Sequence, residues 1–288
     1  MGAAHVPHHT YYHNNQPTHS AGFFMAERNR RMNRAKFYAA LRAQPSGMFG
    51  RTLSQKTVPG IEGILEAFIT HGDGDARTLA YALSITRGEV GIDMLPVREG
   101  FAKTDAGARR AVNNLARRRG PNSAVAKYAR PTGPYGHVYY GRAQMQLTWL
   151  DNYRGSSADA GVDLVKDPDA MLDPVISARV LIRGLMDGRW NGRRKGIRYY
   201  LDQGDLKNAR RTVNITDKWE MFADFYQGFL AAIEAAGGVP IQEAPPMPTD
   251  GETNEPSIDL PSTPETPSQP PQSGFFVALM KLIGRLFK

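Results

Sequence analysis

The chain contains no cysteine among its 288 residues. This absence excludes disulfide bonds, thiolate metal sites and a cysteine nucleophile, and it is consistent with synthesis in a reducing compartment. The sequence also has no run of 18 apolar residues, and its beginning lacks the charged-then-apolar pattern of a signal peptide. We therefore expect synthesis in the cytoplasm, and any work outside it would require another factor to release the protein.

Charge is unevenly distributed along the chain. The net charge of the whole chain is +8. Residues 241–288 carry six acidic and three basic side chains, a net charge of −3, so residues 1–240 carry a net charge of +11. Such a balance indicates an anionic partner, for which nucleic acid, anionic lipid and the bacterial cell-wall polymer all qualify. Five arginines fall on one predicted helix without interleaved aromatics, so we do not expect nucleic acid; they are Arg109, Arg110, Arg117, Arg118 and Arg119.

Both ends of the chain have the composition of segments outside a folded core. Residues 1–25 hold five of the seven histidines among polar residues without periodicity, which predicts a disordered leader; a metal-binding tract is the alternative. Met25 is a candidate for the true start. Residues 239–274 contain ten of the twenty prolines and predict an extended linker.

The last fourteen residues, 275–288, read FFVALMKLIGRLFK. Lys281, Arg285 and Lys288 share one face of a helix, and apolar side chains cover the remainder. The segment is too short to span a bilayer, but it suits the surface of an anionic membrane. A terminal helix docked on the folded domain is the alternative.

Helical patterns fill residues 26–238. Ile61, Ile64, Leu65 and Phe68 recur at the spacing of an amphipathic helix. Helix starts are predicted at residues whose side chains cap well, namely Asp75, Thr104, Asp173, Asp205 and either Thr216 or Asp217. About eight helices with scarcely any alternating run predict an all-α domain.

The stretch from Tyr139 to Tyr153, YYGRAQMQLTWLDNY, combines aromatics, an arginine and side-chain amides. A buried element rarely carries so many polar groups, because each needs a partner or costs a few kcal/mol. Composition alone leaves two interpretations open, a sugar-binding wall and a polar surface loop leading into a helix.

Two glutamates have positions suited to acid and base chemistry. Glu89 lies near the end of a predicted helix, and Glu99 follows a break at Pro96. A helix end and the loop after it can bring both to one cleft. Glycoside cleavage uses such a pair, one protonated to assist the leaving oxygen and one ionised to activate water.

The order of several motifs resembles the chitinase-like endolysins of bacteriophages, of the glycoside hydrolase family 19 type, over about residues 33–236. The matching segments are Glu89 in its helix, PVRE at 96–99, GRAQMQLT at 141–148, DNY at 151–153, DP at 173–174 and ARRTVN at 209–214. The third segment is the strongest, since the family pattern is Gly-Arg-Gly-x-x-Gln-Leu-Thr before Asn-Tyr.

The resemblance implies a lysozyme-like all-α fold with a two-lobed glycan cleft. It implies Glu89 as general acid, Glu99 as the candidate general base and Thr148 as a residue that holds the attacking water. The substrate-binding residues that it implies are Tyr139, Tyr140, Arg142, Gln146, Asn152, Tyr153 and Asn214. For Arg142, pairing with a carboxylate is the alternative to contact with substrate. It implies inversion at the anomeric carbon and no metal or cofactor.

The sequence departs from the family pattern at four positions. Gly88 and Val90 stand where the family has the histidine and threonine around its catalytic glutamate, so neighbours that orient Glu89 are missing. Ala143 replaces the second glycine of Gly-Arg-Gly, and Ile215 replaces a glycine after the asparagine. We expect the added Cβ at either position to narrow the cleft where backbone and sugar approach each other.

These observations lead to two functional hypotheses. The first is a monomeric endolysin that cleaves β-1,4 bonds between N-acetylated sugars of peptidoglycan in the wall of a Gram-negative host, with residues 275–288 on a membrane surface. The second is a catalytically inactive wall-binding or virion-associated protein that keeps the glycan cleft.

Overall fold

A computed structural model describes residues 32–44, 48–51, 53–190, 192 and 195–242. The predicted leader with Met25, nearly all of the predicted linker and the predicted helix at 275–288 lie outside these residues. The chain divides into two units, Met1–Glu243 and Ala244–Lys288, and every described residue belongs to the first.

The described residues are predominantly helical, which confirms the predicted all-α class. Numbered α1 to α10 in chain order, the helices within the described ranges are Arg34–Arg42, Thr57–His71, Ala76–Val90, Asp105–Arg119, Ala124–Tyr128, Leu150–Ala160, Pro174–Asp187, Ile197–Leu201, Leu206–Ala209 and Trp219–Ala235. Short 3₁₀ turns lie at Glu99–Phe101, Pro168–Leu172 and Arg210–Thr212, and one short strand, β1, lies at Met48–Arg51. Within the described ranges no helix combines the length and apolarity needed to cross a bilayer.

Side-chain caps start four helices where the sequence predicts them. The carboxylates of Asp75, Asp173 and Asp205 and the hydroxyl of Thr104 accept hydrogen bonds from backbone N–H groups in the first turns of α3, α7, α9 and α4. The predicted start of the last helix at Thr216 or Asp217 is wrong. Left-handed backbone at Lys218, with φ of 53°, interrupts the path there, and α10 begins at Trp219 without a side-chain cap.

Two hydrophobic cores divide the domain into lobes, as the two-lobed prediction requires. The core of the large lobe forms where α10 packs on α3 and α1 and where α2 packs on α7. The second core lies between α4 and α5 and contains Ala108, Val112, Val125 and Ala129. We call residues 98–137, which include α4 and α5, the small lobe, and the other described residues, apart from the connecting segment 138–140, the large lobe.

The extended segment 138–140 joins the lobes by alternation of its side chains. Val138 and Tyr140 enter the small core, whereas Tyr139 between them enters the large core. Tyr140 and Tyr153 are fully buried, so their predicted role in contacting substrate is wrong. Tyr139 is also buried, and its hydroxyl donates a hydrogen bond to the carbonyl of Val165 at 2.7 Å.

Arg142 is buried between the lobes and is only 2% exposed, so its predicted substrate contact is wrong. Its Nε donates to Asp169 at 2.7 Å, and its Nη1 donates to the carbonyl of Val138 and to the hydroxyl of Tyr153. Nη2 lies 3.5 Å from Asp105 in the first turn of α4. The predicted alternative, pairing with a carboxylate, is confirmed.

The Arg142 network depends on the ionised form of Asp169. Desolvation acts to raise the pKa of Asp169, but hydrogen bonds and positive charge from Arg98 and Arg142 outweigh it and hold that pKa below its ordinary value. Stability from this carboxylate is therefore present above the ordinary pKa of aspartate. It is lost as the pH falls through the lowered value.

We predict that Arg142→Met lowers the free energy of unfolding by about 3 kcal/mol at neutral pH, because two carboxylates lose a buried partner. This figure is at the low end of the usual range since Asp169 is 40% exposed and stays partly hydrated. Below about pH 4 the difference from wild type should shrink. Urea denaturation at both pH values measures it.

The matched control is Arg154→Met, which breaks an ion pair with Asp151 whose two side chains are 57% and 88% exposed. We expect a change of about 0.5 kcal/mol or less. Equal losses from the two substitutions would contradict the role assigned to Arg142.

Candidate active site

A cavity of about 310 Å³ lies between the two lobes and contains both predicted catalytic carboxylates. Glu89 reaches it from the end of α3 in the large lobe, and Glu99 reaches it from the small lobe. The residues that complete its lining are Ala124, Tyr128, Gly141, Met145, Gln146, Thr148, Trp149, Val213 and Asn214. Segments far apart in sequence therefore meet at one place.

Glu99 is held in one orientation by three hydrogen bonds. Its backbone N–H donates to the carbonyl of Gly141, and the N–H of Gly141 donates to Glu99 Oε2 at 2.8 Å. The hydroxyl of Tyr128 donates to Oε1 at 2.9 Å. A Cβ at position 141 would lie 2.7 Å from Oε1 of Gln146, so glycine permits the close approach of the backbone at 141 to the Gln146 side chain.

Tyr128 is a site residue that sequence reasoning missed. Burial and the negative charge of Glu99 raise the pKa of its hydroxyl, so it remains a donor at every physiological pH. Its place on α5 provides no signal in the sequence, because its partner Glu99 lies in a different segment.

Glu89 is mostly buried, at 16% exposed, and forms an ion pair with Arg210. Arg210 Nη2 donates to Glu89 Oε1 at 2.5 Å, and the guanidinium is itself only 3% exposed. Burial raises the pKa of Glu89 above its ordinary value, and the charge of Arg210 opposes this rise. Burial and the charge of Arg210 therefore act in opposite directions on the pKa of this carboxyl, and burial has the larger effect.

Gly88, Phe222 and Arg210 form the packed support beneath Glu89. A Cβ at position 88 would lie 2.1 Å from a ring atom of Phe222, so no side chain fits there while Phe222 keeps its place. The guanidinium carbon of Arg210 lies 4.0 Å from the centre of the same ring, within cation–π range. Phe222 therefore occupies the space that a side chain at position 88 would need. Its ring also packs against Arg210, the arginine that pairs with Glu89.

Arg210 keeps unused hydrogen-bonding capacity. Its Nε and Nη1 are buried and have no hydrogen-bond partner among the described residues. The residue lies in the ARRTVN segment that contributed to the family resemblance, yet sequence reasoning gave it no role. Its importance follows from proximity to Glu89, and Glu89 lies more than a hundred residues earlier in the chain.

The other departures from the family pattern have different consequences. Val90 is buried and offers no polar group to Glu89. Ala143 is completely buried in the large core, so the expectation that its Cβ narrows the cleft is wrong. Replacing the glycine by Ala143 instead strains the backbone, because φ at Ala143 is 72°, a value that residues other than glycine rarely adopt. Ile215 is exposed at the rim of a neighbouring cavity.

Two further cavities flank the central one and share lining residues with it, so the three form one cleft. The first, of about 300 Å³, is lined by Thr148, Trp149, Asn152, Trp190, Arg211, Val213, Asn214 and Ile215. The second, of about 390 Å³, is lined by Lys127, Tyr128, Arg130, Pro131, Thr132, Tyr139, Trp149, Leu150 and Asp151. Among the residues predicted to bind substrate, Tyr139, Gln146, Asn152 and Asn214 therefore line the cleft.

Trp149 lines all three cavities, and sequence reasoning did not single it out. Its indole is 37% exposed and contacts the ring of Tyr128 edge-on at 5.5 Å between centroids. Its φ of 74° places a bulky residue in strained backbone, which costs about 1–3 kcal/mol and is typical of functional sites. Its indole offers the cleft a large, flat and mostly apolar face.

The amides in the cleft are partly committed to the protein. Asn152 donates to the carbonyl of Thr148 at 2.9 Å, and Asn214 accepts from the N–H of Ile215 at 2.8 Å. The other polar atom of each amide makes no hydrogen bond to a described residue. Gln146 donates to the carbonyls of Val97 and Ala143, which leaves its oxygen as the acceptor near the cavity.

We predict that Gly88→Ala lowers the free energy of unfolding by about 1–3 kcal/mol, because the new methyl group overlaps the ring of Phe222. Gly63→Ala is the matched control, since it lies within α2 and a Cβ there meets no atom within 4 Å. Alanine at that position should be neutral or stabilising by up to about 1 kcal/mol. Thermal denaturation of both variants measures the effect, and equal melting temperatures would contradict the packing described.

Comparison with known proteins adds a distant similarity. No family model matches the chain, and no curated protein matches it. A solved structure of a chitinase C mutant is 15% identical, with a TM-score of 0.45 over 74% of this chain and 95% of that one. Chitinase C from Streptomyces griseus HUT6037 is 16% identical, with a TM-score of 0.44 over 74% of this chain and 79% of that one.

Proposed function

We propose that this protein is a glycoside hydrolase that degrades peptidoglycan, with Glu89 and Glu99 as its catalytic carboxylates. The observation that carries the proposal is that these two side chains line one cavity, approached from opposite lobes. A glycan strand lying in the cleft would pass between them. Most pairs of glutamates in a protein do not meet in this way, because glutamate is ordinarily a solvated surface residue.

The roles of the two carboxyls follow from their surroundings. Burial raises the pKa of Glu89, which suits a general acid that gives its proton to the leaving glycosidic oxygen. Glu99, fixed by Tyr128 and Gly141, takes a proton from the attacking water, and Thr148 helps to hold that water. Attack from the face opposite the leaving group inverts the anomeric carbon.

Arg210 completes the acid side of this mechanism. When Glu89 has given up its proton, its new negative charge lies 2.5 Å from a guanidinium nitrogen, where the charge is stabilised. Before the reaction, the same contact with Arg210 opposes protonation of Glu89. Arg210 is therefore a positioning residue whose charge both assists and limits Glu89.

Recognition of the sugars would use the amides and the indole of the cleft. Gln146, Asn152 and Asn214 offer polar atoms to N-acetyl and hydroxyl groups, while Trp149 offers an apolar surface to a sugar ring. The chemistry needs no cofactor. The described residues contain no group of three or more histidine, aspartate or glutamate side chains that could hold a metal ion.

The biological setting that we propose is lysis of a bacterial host by a phage endolysin acting as a monomer. The basic charge of residues 1–240 would draw the protein to the anionic wall. Synthesis would take place in the host cytoplasm, and residues 275–288 would engage an anionic membrane surface after release. This part of the proposal rests on the sequence.

A second candidate is a wall-binding protein without catalytic activity. The ion pair between Arg210 and Glu89 favours it, because a general acid must carry a proton and the guanidinium opposes protonation. Gly88 and Val90 also bring no polar neighbour that would help to orient the acid. In this case the protein would act as a lectin, binding the wall glycan in its cleft without cleaving it.

Dye release from purified, dye-labelled peptidoglycan tests the proposal. We expect wild type to release dye and both Glu89→Gln and Glu99→Gln to lose at least about 100-fold in rate, the usual contribution of a general acid or base. The matched control is Glu66→Gln on α2, whose side chain is 68% exposed and lines none of the three cavities; it should retain the wild-type rate. Equal, background-level release by all four proteins would reject the hydrolase and leave the lectin.

A further inference from the structure

The small lobe carries positive charge with almost no opposing charge. Residues 98–137 contain nine basic and two acidic side chains. The two acidic residues are Glu99 and Asp105, and both are already engaged inside the protein. Glu99 accepts from Tyr128 and Gly141, and Asp105 accepts from Tyr140, besides pairing with arginines.

Most of the basic side chains of the small lobe point into solvent. Arg98 and Arg109 pair with Asp169 and Asp105. The other seven are exposed, and none forms an ion pair with a carboxylate of the described residues; they are Lys103, Arg110, Arg117, Arg118, Arg119, Lys127 and Arg130. We call these seven the basic face.

Some of the basic side chains of the large lobe are paired within that lobe. Arg77, Arg189 and Arg198 each pair with at least two aspartates in the large lobe. The small lobe has only two acidic side chains for nine basic ones, so its seven exposed cations have no carboxylate within the lobe left to pair with. Seven exposed like charges on one small lobe repel one another, and an anionic partner would relieve that repulsion.

The basic face reaches the cleft. Lys127 and Arg130, at either side of the end of α5, line the flanking cavity that also contains Trp149. Tyr128, between them in the chain, lines this cavity and the central one. A polymer in the cleft would therefore lie beside these cations.

We propose that the basic face binds the carboxylates of the peptide side chains carried by bacterial wall glycan, while the glycan strand itself lies in the cleft. This inference rests on the proposed function and names its substrate class, an anionic glycan in preference to neutral chitin. A neutral polymer would gain nothing from seven cations.

Nucleic acid is the competing polyanion, and the central cavity argues against it. Glu99, which accepts a proton in the proposed mechanism, would lie close to any phosphate backbone that followed the cleft, and like charges repel. Carboxylates carried on peptide branches avoid this conflict, because the branches can reach the basic face while an uncharged sugar backbone passes the two glutamates.

A binding experiment with Glu89→Gln as the parent protein separates docking from turnover. The first variant adds Lys127→Gln and Arg130→Gln. The matched control instead adds Lys36→Gln and Arg42→Gln, which remove two exposed charges from α1 and so make the same change in net charge. Equal melting temperatures of the three proteins establish that folding is unaffected.

Cosedimentation is measured with intact sacculi, with sacculi whose carboxyl groups have been converted to amides, and with chitin. At low salt we expect the Lys127 and Arg130 variant to bind intact sacculi about tenfold more weakly than the parent, and the control to bind as the parent does. The difference should vanish on amidated sacculi and on chitin, and it should shrink in high salt.

Equal binding of intact sacculi by the two double variants would overturn the inference. So would parent binding that is unchanged by amidation, or tighter binding to duplex DNA than to sacculi. Because none of these measurements needs turnover, a failed dye-release assay with the expected binding pattern would reject the hydrolase and keep the docking surface.

Discussion

The buried guanidinium of Arg142 is the contact on which the arrangement of the two lobes depends. It ties Asp105 at the start of α4 to Asp169 in the large lobe, and it also holds the backbone and tyrosines of the connecting segment. Gly141 follows that segment and donates a hydrogen bond to Glu99. Arg142 therefore influences where Glu99 lies, although Arg142 itself lines none of the three cavities. A change at Arg142 should therefore alter the position of Glu99 as well as stability.

The two sides of the central cavity hold their carboxyls by different physical means. Glu99 accepts neutral donors, a tyrosine hydroxyl and a backbone N–H, which orient it without adding charge. Glu89 faces an arginine that is packed on Phe222 and has lost most of its water. This asymmetry separates an acid from a base in the mechanism that we propose, since environment decides which of two carboxyls is protonated.

Much of the helical framework could be predicted from the sequence, because caps such as Asp75 and Asp173 act through local chemistry. The meeting of Glu89 and Glu99 was also predictable as a hypothesis. The burial of Tyr140, Arg142 and Tyr153 was not, because composition does not show whether polar groups are satisfied by the protein or by a ligand. Pairs such as Arg210 with Phe222, and the strained backbone of Trp149, arise only from tertiary packing.

The anomeric form of the first product tests the central claim most directly, since it reports how water and the two carboxyls are placed around the reacting carbon. Proton NMR spectra recorded early in the digestion of a soluble β-1,4-linked glycan distinguish the forms. If Glu99 activates water on the face opposite the bond that Glu89 protonates, the α-anomer appears first at the new reducing end. Initial appearance of the β-anomer, or of an internal anhydro ring formed without water, would contradict the account.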